Sequence, residues 1–178
     1  MSSPCDPQYA PAGDVGAALM MIDSRLKAMY GEGAETDPLQ RQLTEQFTAS
    51  LAPKDADDLV DGACTLIYMF MRWLRMAYED HDKDVIEYVV PGLVASLRMM
   101  PKSIRPEVIP TMAGLVVAAG TGLSPSLWRK QYGDWTKDEM NSLEATALLL
   151  AEHINRLTDN RDFAARMIAE AMSRATED

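Results

Sequence analysis

Between Leu59 and Glu79 the charged and hydrogen-bonding side chains keep to one narrow track. At about 100° per residue, Asp61, Thr65, Tyr68, Arg72, Arg75 and Glu79 fall on a single helical stripe, and the positions between them are apolar or small. Roughly two-thirds of the circumference therefore seeks burial, whereas a surface helix of a globular protein needs an apolar stripe only a little over 100° wide. Such a helix, predicted over 55–79, has to be central, packed by several neighbours with one edge in water. A membrane span would not keep the polar ridge unless it lined a pore or the inside of a bundle. Val108 to Trp128 is also free of charge, but Pro110, Gly114, Gly120, Gly122 and Pro125 interrupt it. A span needs about 20 strongly apolar residues, so a buried core helix fits this stretch better.

The rest of the chain supplies the neighbours. Asp14 is placed to cap a helix to about Tyr30, with Val15, Ala18, Leu19, Ile22, Leu26 and Met29 on one face and Gly31 as the stop. Asp37-Pro38 opens a second, with Leu39, Leu43, Phe47 and Leu51 following before Pro53. Asp82 or Asp84 caps a helix to about Met99, which Pro91 should kink or split. Pro106 opens the next. Ser124, Pro125 and Gly133 read as cap, first turn and stop of a short helix. Thr136 and Glu139 form a capping box, with Trp135 and Met140 as a hydrophobic staple, for a helix over 137–158. Asp159 or Asn160 caps a last helix carrying Phe163, Met167, Ile168, Ala171 and Met172. No segment alternates in the manner of a strand. The expectation is all-α: a single-domain bundle of about seven or eight helices over 14–178, preceded by a flexible arm at 1–13.

At 178 residues with 47% apolar content the chain is long enough for one real core. The first residues have no basic and apolar signal-peptide pattern. Cys5 and Cys64 make no disulfide framework, which suits a reducing cytoplasm. The net charge of −10 argues against a nucleic-acid or anionic-membrane binder. That charge is uneven: residues 98–137 carry 6 bases against 2 acids, and the flanks are acidic. The simplest explanation is pairing of the basic middle with the acidic ends.

Sharper chemistry finds little footing. Neither His81 nor His153 follows a glutamate at the spacing of di-iron bundles. The two cysteines are too far apart for a zinc motif. Glu79 to Asp84 is dense in carboxylates but lacks the glycine and closing glutamate of an EF-hand, and reads as a solvated corner. Gly120-Thr121-Gly122 is too short for a phosphate loop. Ser96, Ser124 and Ser126 have no visible base, and His153 beside Glu152 reads as a surface or half-buried histidine. No cofactor or metal is expected.

Two clusters remain. Trp128, Arg129, Lys130, Tyr132 and Trp135 crowd the segment between the short helix and the capping box, and Trp, Tyr and Arg are the residues of interface hot spots. The plainer alternative has the tryptophans locking the linking helix to the core, with Arg129 and Lys130 facing water. Met69, Trp73 and Met76 border the apolar arc of the central helix and are candidates for an oligomer or pocket surface. Gly114, Ala118 and Gly122 recur at four-residue spacing and predict close approach of a helix. The leading expectation is a non-enzymatic cytoplasmic interaction or adaptor protein, bacterial in style and self-associating through helix faces. A small-molecule-binding helical domain with a Met/aromatic-lined pocket is the alternative, and an enzyme of unreadable class comes third.

Overall fold

The helix that the stripe predicts is the axis of the molecule. In a computed structural model, which describes residues 12–29 and 56–177, the elements are α1 (Ala12–Met29), α2 (Ala56–Glu79), α3 (Val85–Arg98), a 3-10 turn (Pro106–Val108), α4 (Ile109–Gly120), α5 (Pro125–Lys130), α6 (Lys137–Thr158) and α7 (Phe163–Glu177). No strand occurs among the described residues, and the fold is an all-α helical bundle. The helix expected after Asp37-Pro38 and most of the arm at 1–13 lie outside the described residues. Since α1 begins at Ala12, Asp14 stands inside its first turn rather than ahead of it.

α2 touches every other helix among the described residues. Leu66, Ile67, Phe70, Met71 and Leu74 are its largest fully buried side chains. The polar stripe is wet only in its second half. Arg72, Arg75 and Glu79 are exposed, but Thr65 and Tyr68 are buried. Thr65 tolerates burial because its hydroxyl donates to the Asp61 carbonyl at 3.0 Å, one turn back. Tyr68 lies under the Arg72 guanidinium, 5.7 Å from the ring centre. Against this axis pack Ile22 and Leu26 of α1, Leu97 of α3, Met112 and Leu115 of α4, Leu143, Leu150 and Ile154 of α6, and Ile168 of α7, in one continuous core.

The caps explain where helices begin. Asp84 accepts the Ile86 N–H at 2.9 Å and starts α3, so Asp82 is left in the turn with φ of 57°. Pro91 does not split α3, which runs unbroken through it. The proline removes one hydrogen bond to the Glu87 carbonyl, and both residues sit on the exposed side, where water is at hand. Thr136 and Glu139 complete the expected capping box at α6.

The α6–α7 junction depends on a residue the sequence reading passed over. Asp159 ends α6 in the left-handed region at φ 51°, and Asn160 caps only locally, accepting the Asp162 N–H at 3.0 Å. The buried Asn155 joins the two helices. Its Nδ2 donates to the Arg161 carbonyl and its Oδ1 accepts the Ala164 N–H, both at 2.8 Å. Asn155→Ala is expected to cost about 2 kcal/mol by leaving that buried N–H without an acceptor. Asn155→Asp, which keeps the acceptor, should lose less in urea unfolding. Equal losses would show that the Ala164 bond is not the stabilising contact.

Candidate functional site

The segment from Leu123 to Glu139 is built from the inside out around one ion pair. Ser124 accepts the Leu127 N–H at 3.2 Å and Pro125 fixes the first turn of α5. One turn later Arg129 points inward and is only 5% exposed. Its Nε and Nη2 grip the two carboxylate oxygens of Glu139 at 2.7 and 2.6 Å. Nη1 and Nη2 also donate to the Gly133 and Asp134 carbonyls, each at 3.0 Å, and the guanidinium lies 5.2 Å from the centre of the Trp135 ring. Glu139 meanwhile accepts the Thr136 N–H at 2.9 Å as part of the capping box. One carboxylate thus starts α6 and holds α5. The Arg129 hydrogen bonds pull the Glu139 carboxyl from 4.5 down to about 2 against the opposing effect of burial. The same contact raises the Arg129 pKa further.

Trp128 is held from the other side. A side-chain carbon at Gly114 would lie 2.8 Å from its Cζ2. Gly114 is therefore a notch for an indole ring, where the four-residue spacing predicted a helix backbone. Ala118 is buried in α4, and Gly122 turns the chain beyond it with φ of 89°. Tyr132 packs edge-on to Trp128 at 5.4 Å.

The structure divides the first predicted cluster. Trp128 and Trp135 are half-buried against the core, while Lys130 and Tyr132 are exposed. Arg129 is neither exposed nor facing water, because every part of its guanidinium is engaged. The second cluster divides as well. Met69 is core, Trp73 tilts onto Phe163 of α7 at 5.3 Å, and only Met76, 63% exposed, faces solvent. Two residues outside the prediction are exposed in the same segment of chain: Leu123 at 58% and Leu127 at 51%, with Tyr132 at 68%. The uncharged run through Leu123 and Leu127 contained them, but it read as core. Between Pro110, Thr111, Trp128 and Tyr132 lies an open depression of about 370 Å³.

Charge pairing also accounts for part of the basic middle. Arg105 reaches Asp138 at 3.4 Å, and Arg129 takes Glu139. Arg129 and Glu139 hold one another through two hydrogen bonds. The arrangement ties α5 to the start of α6. No helix among the described residues is long and apolar enough to cross a membrane. No protein-family model, curated protein or solved structure matches this chain.

Proposed function

We propose that the protein is a non-enzymatic interaction module that self-associates through the α5 face. The observation that carries this reading is the exposure of Leu127 on the six-residue α5 and of Leu123 and Tyr132 in the chain just before and just after it. Large apolar side chains grouped on an ordered surface mark contact sites. Here the buried Arg129–Glu139 pair and the Trp128 notch hold the face in shape before any contact, which lowers the ordering cost of docking. Lys130 supplies a polar rim, and Trp128 a half-buried anchor. Met76 marks a lesser surface on α2. The buried thiol of Cys64 suits a reducing cytoplasm, and a bacterial source belongs to the same reading.

Native mass spectrometry with sedimentation tests it. The chain of 19.7 kDa is expected as a homodimer, and Leu127→Asp with Tyr132→Asp as a monomer with unchanged helical circular dichroism. A dimer that survives both changes but falls apart on Met76→Asp moves the interface to α2. A wild-type chain that stays monomeric at high concentration rejects self-association.

A further inference from the structure

A second concave site lies away from α5. Between α3 and α6 runs a groove of about 410 Å³, within the range of small-molecule pockets. Val89, Leu93 and Leu150 form a buried apolar floor. Gly92 forms part of one wall, and a side-chain carbon there would meet nothing within 4 Å. Glycine inside a helix is destabilising relative to alanine, and no neighbour here requires it. Its effect is to leave the groove open.

One end of the groove is polar and ordered. His153 Nε2 is 3.0 Å from the Tyr78 hydroxyl. The two rings lie 10° from parallel, and Tyr78 in turn stacks on Tyr88 at 5.8 Å. Burial, helped by the nearby Arg156 charge, holds His153 below its ordinary pKa, and burial raises that of Tyr78. Both are neutral near pH 7. With Nε2 engaged, Nδ1 is the ring's remaining polar atom. Arg156 gives its Nε to Glu152 at 2.9 Å, which leaves its terminal nitrogens for another acceptor. The apolar floor therefore ends at an arginine already paired with the Glu152 carboxylate, which also lines the groove, and at a neutral imidazole, beside a stack of rings.

We propose that this groove binds a small aromatic carboxylic acid, its ring on the Val89–Leu93–Leu150 floor and its carboxylate at Arg156 and His153. The carboxylate selects the tautomer in which Nδ1 carries the hydrogen and the Tyr78 hydroxyl donates to Nε2. Arginine is suited to this role because its planar fork matches a carboxylate. The site shares no residue with the α5 face, so it stands or falls independently of self-association.

Titration calorimetry of the full chain with benzoate, indole-3-acetate and 2-naphthoate tests the proposal. At least one of the three should bind saturably with one-to-one stoichiometry, and the matching alcohol ~tenfold more weakly, for loss of the charged hydrogen bonds. Arg156→Gln should weaken the acid by a similar factor and leave the alcohol unchanged. Gly92→Phe fills the groove and should abolish binding, with thermal unfolding as the check on its fold. Gly92→Ala, whose extra carbon has room, serves as the folded control. Tyr132→Ala should change nothing. The proposal is overturned if none of the acids binds, or if binding ignores both Gly92→Phe and Arg156→Gln. Equal affinity for acid and alcohol overturns the carboxylate assignment.

Discussion

Arg129→Ala is expected to lower the stability of the protein by about 3–5 kcal/mol, the range for removing one partner of a buried ion pair. The size follows from what stays behind. Glu139 would remain a carboxylate only 6% exposed with no cation, and the Gly133 and Asp134 carbonyls would lose their donors. Removing both charges should be milder. In Arg129→Met with Glu139→Leu no buried charge is stranded, and much of the loss should return. What remains is the capping-box contact of Glu139, worth about 1 kcal/mol, together with the lost donors to the Gly133 and Asp134 carbonyls. The effect should also depend on pH. Glu139 has a folded pKa of about 2 against an ordinary 4.5, so its stabilisation is complete above pH 4.5 and is lost as pH falls toward 2. In Arg129→Ala the stranded carboxyl can take up a proton in acid and so escape its penalty. The gap between wild type and variant should therefore be wide at pH 7 and narrow at pH 3 in urea unfolding. A loss under about 1 kcal/mol at pH 7 would mean that the pair is in effect solvated.

The contrast between α2 and Arg129 shows what a sequence of this kind discloses. α2 was legible because one physical rule, burial of an apolar arc, repeats along more than twenty positions. The departures at Thr65 and Tyr68 arise from local solutions, a back-bonded hydroxyl and an arginine over a ring, which the wheel does not weigh. Caps were legible because they act over three residues, as at Ser124, Thr136 and Asp84. Arg129 was misread because its partner lies ten residues away across a turn, and Glu139 already had a sufficient local role in the capping box. An arginine beside two tryptophans carries the same letters whether it is a hot spot or a strut. Asn155 was passed over for a similar reason: it caps a helix that begins only after the next turn. Leu123 and Leu127 were hidden by composition, since an apolar residue in an uncharged run reads as core until the backbone turns it outward. The groove at Gly92 is a tertiary property, the meeting of a missing side chain on α3 with His153 on α6.

Gly114→Val is the other large effect. A side chain at this position runs into the six-membered ring of Trp128, with Cζ2 at 2.8 Å and Cζ3 at 3.1 Å. The obstacle is a rigid ring edge, so no rotation of a flexible tip relieves it. Either α4 shifts or Trp128 leaves its notch, and α5 is displaced with it. The cost should reach about 3 kcal/mol, the upper end for overpacking a well-filled site. Valine improves on glycine in helix propensity by less than alanine would, too little to offset the clash. Coupling identifies the cause. Trp128→Ala alone loses the packing of the indole, but it also vacates the space that valine needs. The double variant should therefore be more stable than the sum of the two single losses predicts, by about 1–3 kcal/mol. Strict additivity would place the damage elsewhere on α4. The same pair of variants bears on association. If α5 docks only while Trp128 is seated, Gly114→Val should weaken the dimer although residue 114 lies beneath the proposed contact. A dimer unchanged in a variant whose Trp128 is shown to be unseated would separate the docking face from the notch that supports it.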